Sequence, residues 1–586
     1  MPIIGIDLGT TNSLAAVWKD GKCQLIPNAL GEILTPSAVS IEENGNILVG
    51  RAAKDRLISH PERTAASFKR FMGTDTKLML AGKPFTPIEL SAFVLRRLKE
   101  DAEAFLGQPV EEAVISVPAY FDDNGRSATK AAGELAGFRV ERIVNEPSAA
   151  ALAYHKGKDE DMSFLVFDFG GGTLDVSIVD AFSNVIEIVA VAGDNHLGGD
   201  DFNHAIAAHF CKQNGLKLSE LPRETQASLI RQAEQCKIAL SSADPVMMVA
   251  EMEGNQRSVM LTNQKLVEIL APLLRRLERP IARVLRDCRD TVGEVDEVVL
   301  VGGSCHMPLI QQYLRHILGK APLCDFHAET TVALGAGIAA GIKERSQDLR
   351  DTVLTDICPF TLGVNVINHE DPANDLFSPI LERNTTLPAS RMRSYFTAHD
   401  NQTKMTIEVY QGEGIYCRDN LKLGEVEIDV PRAARGQQGA DVRFTYDING
   451  ILQVEVTCQS TGQKQQSLIL NPNLKLSDKE LKTRLQELEK YKFIPREEEE
   501  NKTLLARGAR LYAESTGLLR EQIHQQIDYF NLLLHEGNES RLRRYRKDLT
   551  RFFDQIDAHM DSDDEILRAF RDGFDPDEDG NEDGGV

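Results

Sequence analysis

Two segments of the sequence repeat a set of residues that could bind a polyphosphate. Residues 3–17 (IIGIDLGTTNSLAAV) and 164–179 (FLVFDFGGGTLDVSIV) each contain an apolar run, an aspartate, a glycine-bearing turn with threonine, and a second apolar run. Each segment predicts a β-hairpin whose turn exposes backbone N–H groups, and its glycines let phosphate oxygens approach without a Cβ in the way. Two such hairpins facing each other would hold a polyphosphate from both sides.

The aspartate that ends the first strand of each predicted hairpin is suited to a magnesium ion. Mg²⁺ usually keeps several waters and binds through one or two carboxylates plus phosphates, as Asp7 and Asp168 could provide. Thr10, Thr11 and Thr173 place hydroxyls in the same turns. One glycine-rich turn alone would be better explained as an ordinary strand turn, but the repeated Asp-x-Gly-x-Thr pattern favours a phosphate site.

Two further glycine turns extend this prediction. HLGGDDF (196–202) supplies Gly198 and Gly199, and VVLVGGSCHMP (298–308) places a glycine pair after an apolar strand. Neither a dinucleotide-binding G-x-G-x-x-G followed by an acidic residue nor a Walker A motif is present. The pattern therefore predicts a nucleotide held between two related lobes.

The elements that would position these turns change type along the chain. Up to about residue 347, β-rich apolar runs alternate with helix-like stretches at 91–105, 125–137, 224–240 and 265–290, which is typical of an α/β fold. Beyond residue 356, strands at 402–411, 424–431 and 441–457, the last with an Asn-Gly turn at 449–450, predict an antiparallel β domain.

The remainder of the sequence predicts helices. Ser477 and Glu480 form a capping-box signature ahead of a leucine stripe. A second apolar stripe at helical spacing contains Leu542, Tyr545, Leu549, Phe552, Phe553 and Ile556. We expect both stripes to be internal packing of a helical bundle rather than a binding surface.

Composition limits the classes of function. With 586 residues the chain is long enough for roughly three to five domains. Its net charge of −23 removes the electrostatic attraction that dominates non-specific nucleic-acid binding, so we expect no nucleic-acid partner. Nine cysteines without a C-x-x-C pair, no secretory signal and no membrane-spanning run indicate a reduced, cytoplasmic protein without a membrane partner.

Six segments give the chain a specific resemblance to the DnaK-type, seventy-kilodalton heat-shock chaperones over essentially its whole length, and its shortened first domain is most similar to the HscC branch. The segments are GIDLGTTNS (5–13), ISVPAYFDDNGRSATKAAG (115–133), RIVNEPSAAALAY (142–154), FDFGGGTLDVSIV (167–179), LVGGSCHMP (300–308) and DICPFTLGV (356–364). The resemblance implies an ATP hydrolase that binds exposed hydrophobic segments of client proteins.

The resemblance also implies a multidomain architecture. We expect an actin-like α/β ATPase domain (1–347), an interdomain linker (348–357), an antiparallel β-sandwich that binds peptides (358–470), a helical lid (471–570) and an acidic disordered tail (571–586). We also expect a monomer.

Site residues follow from the matching motifs, with ATP, Mg²⁺ and K⁺ as cofactors. The implied hydrolytic residues are Lys69, Glu146, Asp175, Thr173, Asp7 and Asp168, the two aspartates holding metal through water. The implied nucleotide-binding residues are Thr10, Thr11, Asn12, Gly170, Gly171, Gly172, Thr173, Gly198, Gly199, Glu234, Lys237, Ser241, Gly302, Gly303 and Ser304. The chain departs from the family where Cys305 and His306 replace Thr-Arg, which predicts altered nucleotide affinity.

For the β-sandwich, the resemblance implies a peptide pocket lined by Phe396, Met405 and Ile407, with Ile367 and Ala398 arching over the peptide. Met405 replaces a smaller aliphatic residue of the family, and a flexible thioether there predicts a restricted range of clients. Sandwich core is the alternative explanation for Met405 and Ile407.

Communication between domains involves a further set. Arg142, Asn145 and Asp356 match the face where a J-domain co-chaperone docks, and Pro118 and Arg126 match an interdomain switch. The linker DTVLTD (351–356) has only two apolar residues, which predicts weakened coupling. The short segment after Gly73 leaves open whether a nucleotide-exchange factor is needed.

Two other functions share the duplicated phosphate site. A sugar-kinase-like enzyme would need a sugar site, and an actin-like filament protein would need a self-complementary surface. Neither has a use for a β-sandwich followed by a helical lid.

Overall fold

The computed structural model describes residues 2–469, apart from 44, 46, 157, 159, 160, 183, 253, 254, 289–294, 325, 326, 369, 370, 372, 373 and 449, and residues 504–559, apart from 506, 507, 509, 510, 513–516, 537 and 538. The chain divides into two compact units, Met1–Lys492 and Phe493–Val586. The predicted capping box at Ser477, the first leucine stripe, Asn449 and the acidic tail 571–586 lie outside the described residues.

The first unit contains the sheets of the α/β and β-sandwich regions. Its described strands, in chain order, are β1 (Ile3–Asp7), β2 (Asn12–Lys19), β3 (Lys22–Ile26), β4 (Thr35–Pro36), β5 (Ala38–Ile41), β6 (Ile47–Val49), β7 (Thr64–Ala66), β8 (Leu78–Leu80), β9 (Lys83–Phe85), β10 (Glu112–Val117), β11 (Arg139–Asn145), β12 (Met162–Phe169), β13 (Leu174–Phe182), β14 (Val185–Asp194), β15 (Val246–Met252), β16 (Asn255–Leu261), β17 (Glu297–Val301), β18 (Val353–Thr355), β19 (Leu362–Val366), β20 (Leu376–Leu381), β21 (Ala389–Phe396), β22 (Lys404–Gln411), β23 (Leu421–Asp429), β24 (Gly439–Tyr446), β25 (Leu452–Cys458) and β26 (Lys464–Ile469).

Helices cover these sheets. They are α1 (Arg51–Ser59), α2 (Pro87–Leu106), α3 (Asp123–Leu135), α4 (Glu146–His155), α5 (Gly199–Gln213), α6 (Arg223–Ala239), α7 (Asn263–Asp287), α8 (Pro308–Leu318) and α9 (Thr331–Lys343). The four helices predicted from periodicity correspond to α2, α3, α6 and α7 and are confirmed. Their starts carry local signals: a capping box of Thr86 and Glu89 precedes α2, and the Asp122 side chain accepts from the backbone of Gly125 at α3.

Two main sheets share an arrangement of four strands, β10-β1-β2-β3 in one and β17-β12-β13-β14 in the other. The first has the order β11-β10-β1-β2-β3, with β4 also pairing β2, and the second has the order β17-β12-β13-β14-β18. In each sheet the first hairpin is antiparallel, β1 with β2 and β12 with β13. A parallel strand, β10 or β17, then pairs with the first strand of that hairpin. The two hairpins predicted from the repeated sequence are confirmed, and each stands near the centre of its sheet.

The linker adds the last strand of the second sheet. β18 pairs in parallel with β14, Val353 opposite Val185 and Leu354 opposite Ile186. Val353 is 50% exposed, whereas Leu354 packs against the apolar cluster below it. The linker is therefore docked through backbone hydrogen bonds even though it has only two apolar side chains.

The second half of this unit is a sandwich of two antiparallel sheets. One has the order β20-β19-β22-β23 and the other β21-β24-β25-β26. Their inward side chains form one core cluster that includes Val364, Val409, Phe444 and Val454. The antiparallel β region predicted from the sequence is confirmed.

The second unit is helical where it is described. The helices α10 (Gly517–Glu536) and α11 (Glu539–His559) share an apolar core with Leu511. All residues of the second predicted stripe pack in or against that core, so its assignment to internal packing is confirmed.

Candidate functional site

A cavity of about 460 Å³ lies where the two central hairpins meet. Its volume falls within the roughly 300–1,000 Å³ typical of small-ligand sites. The sequence-predicted residues that line it are Asp7, Thr10, Thr11, Asn12, Lys69, Glu146, Asp168, Gly170, Gly171, Thr173, Gly199, Glu234, Lys237, Ser241, Gly302, Gly303 and Ser304. Gly172, Gly198 and Asp175 lie behind this lining.

The tips of the hairpins are in contact, and glycine is what allows it. A methyl group added at Gly171 would lie 1.8 Å from Thr11 Oγ1, and one at Gly172 would lie 2.5 Å from Thr10 Cγ2. One added at Gly198 would lie 2.3 Å from the Gly171 carbonyl oxygen. The three glycine positions therefore form one close-packed surface, as expected for a phosphate cradle.

An excess of carboxylates surrounds one lysine at the floor of the cavity. Lys69 Nζ donates to Glu146 Oε1 at 2.6 Å, and both side chains are buried. Asp7 lies at the end of β1, where Ser116 Oγ donates to it at 2.9 Å. Asp168 and Asp175 are opposite one another in the second hairpin. The cluster has four acids and one base, so it favours binding of a cation.

The pKa values in this cluster show the same imbalance. Burial and repulsion from Glu146 raise the pKa of Asp7 to about 7, although Lys69 and Ser116 oppose the shift. Burial and Glu146 raise the pKa of Asp175 to about 8. The pKa of Asp168 is also raised well above its usual range, chiefly by burial. A bound cation would relieve this repulsion.

The donor set fits a magnesium–polyphosphate complex. Three buried polar atoms around the hairpins have no hydrogen-bond partner in the described part of the chain: Thr11 Oγ1, Arg70 Nε and Asn203 Oδ1. Within the described ranges no three carboxylate, imidazole or thiol groups are grouped to hold a metal ion by themselves.

Residues from two helical elements line the other end of the cavity. Glu234, Lys237 and Ser241 belong to α6 and the turn after it. Lys237 Nζ donates to the Gly199 carbonyl at 3.3 Å, and Ser304 Oγ donates to the Gly170 carbonyl at 2.9 Å. Burial lowers the pKa of Lys237. This end is thus tied directly to the phosphate turns.

The two residues that depart from the family have different surroundings. Cys305 is fully buried, and its thiol donates to the Val301 carbonyl at 3.0 Å. His306 is exposed and lines the cavity. Only His306 can therefore contact a ligand.

Several site residues were missed by the sequence analysis. Asp200, Asn203 and Glu329 line the cavity, and Arg70 and Ser116 contact its acids. Arg70 follows Lys69 in FKRF, and Asp200 lies in the GGDD turn, so adjacency to predicted residues was an available signal. Asn203 and Ser116 carry no such signal.

The residues predicted for interdomain communication are brought together. Arg126 Nη2 donates to Asn145 Oδ1 at 2.5 Å, and Asn145 Nδ2 donates to Asp356 Oδ2 at 2.7 Å. Arg142 is close enough to Asp356 for charge attraction, while burial lowers its pKa. Pro118 begins the turn that follows β10, its carbonyl accepting from Phe121 N–H at 3.1 Å. Ser148, which also donates to Asp356, was missed.

The sandwich residues are only partly brought together. Met405 and Ile407 are buried in the sandwich core. Phe396 is 56% exposed and does not join them, because alternation along β21 turns Tyr395 inward and Phe396 outward. Tyr395 packs against the core on the inner face, with its hydroxyl 3.0 Å from Ser378 Oγ, so the role of Phe396 at an exposed peptide pocket stays a prediction.

The two arching residues lie in loops that leave strands of the sandwich. Ile367 is 37% exposed just after β19. The backbone N–H of Ala398, after β21, donates to Gln402 Oε1 at 2.9 Å. Among the described residues, no helix is long and apolar enough to cross a membrane.

Comparison with known protein families matches residues 3–79 and 74–548 to the Hsp70 protein family. The chain is 38% identical to chaperone protein DnaK of Methanothermobacter thermautotrophicus over 585 residues, covering 94% of this chain and 96% of that protein. It is 39% identical to chaperone protein DnaK of Thermotoga maritima over 562 residues, covering 90% and 93%. It is 41% identical to that of Thermotoga neapolitana over 505 residues, covering 83% of each.

Proposed function

Because this chain belongs to the Hsp70 family and is a DnaK-type, ATP-hydrolysing chaperone, we propose that Mg·ATP binds in the cavity between the two hairpins and that its hydrolysis controls client binding. A J-domain co-chaperone stimulates that hydrolysis. The observation that carries the proposal is the contact of two glycine-rich hairpin tips above the buried Lys69–Glu146 pair. The duplicated strand order of the two main sheets supports an actin-like ATPase domain at 1–347.

The phosphates would be held by backbone and hydroxyl donors. Thr10, Thr11 and Thr173 present hydroxyls at the hairpin tips, and Gly171 and Gly199 line the cavity beside them. Thr11 Oγ1, which has no protein partner among the described residues, is free to donate to a phosphate oxygen. These donors bind and orient the nucleotide, which is most of what phosphoryl transfer requires.

The charged cluster would prepare the attacking water. Lys69 is held by Glu146 at 2.6 Å and would place its charge beside the terminal phosphate, while Glu146 and Asp175 would accept hydrogen bonds from the attacking water. Asp7 and Asp168 would hold the water shell of Mg²⁺, which neutralises phosphate charge when bound. The same surplus of carboxylates supports a K⁺ ion, which we also propose.

Client peptides would bind at the sandwich end formed by the loops after β19 and β21. Ile367 is exposed there, and Tyr395 and Met405 close the interior below it. The thioether of Met405 and the hydroxyl pair of Tyr395 and Ser378 support a narrow client range, because both reshape a cavity that would otherwise accept small aliphatic side chains.

The J-domain would bind beside the docked linker. Arg142, Asn145 and Asp356 form a connected group between β11 and the start of the sandwich. A partner that displaces these contacts would act on both the nucleotide cavity and the peptide site. We further propose the linker, sandwich, lid and tail at 348–357, 358–470, 471–570 and 571–586, a monomeric state and a cytoplasmic location.

The test is release of a fluorescent hydrophobic peptide with and without ATP, together with ATPase rates with peptide and a J-domain. We expect ATP to accelerate release at least tenfold and Lys69→Ala to abolish turnover while nucleotide still binds. Met405→Val, assayed over a peptide set, should widen the range of peptides bound. If ATP did not change the rate of peptide release, the proposed control of client binding by ATP would be refuted. If Met405→Val bound the same range of peptides as wild type, only the proposed narrow client range would be refuted.

The two alternative functions explain the family match less well. A sugar-kinase-like enzyme or a filament protein does not account for a family match that extends through residue 548. No observed feature favours either of them.

A further inference from the structure

Two polar contacts that cross the cleft beside Lys69 have no role in the nucleotide binding proposed above. The guanidinium of Arg70 donates to both carboxylate oxygens of Asp201, Nη1 to Oδ1 at 3.2 Å and Nη2 to Oδ2 at 2.5 Å. Ser67 Oγ donates to Asp200 Oδ2 at 2.7 Å. We propose that these contacts, here called the cleft clasp, position Lys69 and the Gly198–Gly199 turn together, so that nucleotide leaves only when the clasp opens.

The Arg70–Asp201 pair has the geometry and charge needed to hold the two sides of the cleft together. A bidentate guanidinium–carboxylate contact combines charge with fixed geometry, and it is among the stronger hydrogen-bonded pairs in proteins. The side chains are only 15% and 24% exposed, so solvent screens them less than a surface pair. The contact joins a turn from the first-sheet region to the start of α5 in the second, a separation of 131 residues.

On the far side of the cleft, the clasp is connected to the glycine turn. Asp201 Oδ2, which accepts from Arg70, also accepts from the backbone N–H of Gly198 at 2.8 Å. The N–H of Asp200 donates to the Gly171 carbonyl at 2.8 Å. Loss of Arg70 would therefore loosen a carboxylate that fixes the turn over the phosphates.

On the near side of the cleft, the clasp residues Ser67 and Arg70 lie on either side of Lys69 in the sequence. Ser67 has a φ of 54°, a left-handed conformation that costs energy in a residue with a side chain and persists only when surrounding contacts impose it. Its bond to Asp200 is such a contact. With Ser67 and Arg70 both anchored across the cleft, the position of the intervening Lys69 is fixed relative to the second hairpin.

Arg70 also faces that hairpin directly. A methyl group at Gly172 would lie 2.8 Å from Arg70 Nε, and this Nε is buried without a hydrogen-bond partner among the described residues. Arg70 is thus a positioning residue that contacts three parts of the site at once: the lysine turn, the glycine turn and the second hairpin tip.

The experiment compares Arg70→Gln, Asp201→Asn and the double variant in the full-length protein. Asp201→Asn keeps an acceptor for the Gly198 N–H but removes the charge. Arg70→Lys is the conservative rescue, and Arg96→Gln, which removes an exposed arginine paired with exposed Glu100 on α2, is the matched control. The measurements are release of fluorescent ADP, the kcat and KM for ATP, and hydrogen exchange of residues 196–202 without nucleotide.

We expect each single variant to release ADP about tenfold faster and to lose kcat, because a hydrogen-bonded charge pair is lost. The double variant should release ADP no faster than the single variants and keep the same kcat as they do, since the two residues act as one contact. Exchange at 196–202 should rise, Arg70→Lys should restore part of the lost kcat, and Arg96→Gln should match wild type.

Additive effects in the double variant, or unchanged exchange at 196–202, would overturn the clasp. Faster hydrogen exchange at 196–202 with an unchanged rate of ADP release would overturn the role of the clasp in holding nucleotide. The inference rests on the proposed nucleotide site, but the two can fail separately. If wild-type protein bound no ATP, the proposed site would be refuted, whereas exchange in nucleotide-free protein would still decide whether the clasp exists.

Discussion

At the scale of single residues, the sequence identified the groups that repeat or stand in specific motifs and missed those defined by distant partners. Asp7 and Asp168 were found because the two hairpins repeat each other. Arg70 follows Lys69 directly in the sequence, but its contact with Asp201, which is 131 residues away, has no local signal. Phe396 and Tyr395 differ by a single position, and in a strand one position reverses the face of the side chain, so Phe396 is exposed while Tyr395 packs inward.

His306 provides a prediction at this scale. It lines the cavity at a position where the family usually has an arginine that stacks on the base, and an imidazole gives a weaker interaction. His306→Arg should slow nucleotide release about three- to tenfold, equivalent to roughly 0.6–1.4 kcal/mol. Stopped-flow release of fluorescent ADP measures this, with exposed His316→Arg on α8 as control. Identical release rates in His306→Arg and wild type would show that the position does not contact the base.

At the scale of elements, hairpins and helices followed from the sequence because their patterns are local. The four predicted helices have apolar spacing, three of them (α2, α3 and α7) begin at a capping side chain, and each hairpin has its own glycine turn. Docking of the linker did not follow, because β18 is held by backbone hydrogen bonds to β14 and side-chain composition does not report these. The prediction of weakened coupling between the domains considered only the apolar side chains of the linker and left out the backbone hydrogen bonds that hold β18.

The contact of the hairpin tips predicts the effect of one added methyl group. In Gly171→Ala the new Cβ would lie 1.8 Å from Thr11 Oγ1, so the tips must separate or Thr11 must rotate away from the phosphates. Gly171 does not need a positive φ, so backbone strain is not the cause. We expect ATP affinity to fall more than about tenfold, the scale of a lost hydrogen bond to a charged group. Isothermal titration measures it, and wild-type affinity in this variant would contradict the cradle.

At the scale of the whole molecule, the nucleotide-binding part and the sandwich lie in one compact unit joined by polar contacts. Arg383 and Asn384 both donate to Asp287 at the end of α7. The backbone N–H of Asp123 donates to Gln411 Oε1 at 3.0 Å. The sequence could not reveal this interface, because its residues are separated by as many as 288 positions and are ordinary polar types.

Asp123 makes the stability of this interface depend on pH. Burial raises its pKa from 3.8 to about 7, although nearby Arg126 opposes the shift and Asp122 adds to it. A carboxyl whose folded pKa is raised binds its proton more tightly in the folded protein, so its contribution is greatest at low pH and is lost as the pH rises through about 7. Separation of the sandwich would expose the group and return its pKa toward 3.8.

We therefore expect the midpoint temperature of the first thermal transition of nucleotide-free protein to fall as the pH rises from about 4 to about 7 and then to level off, and Asp123→Asn to flatten this decline by removing the ionisation. Exposed Asp351→Asn, which keeps Asp123 intact, should retain the wild-type slope. Scanning calorimetry at several pH values separates the two variants. Equal slopes in Asp123→Asn and wild type would mean that Asp123 stays ionised at the interface, and the attraction of Arg126 would then outweigh the cost of burial.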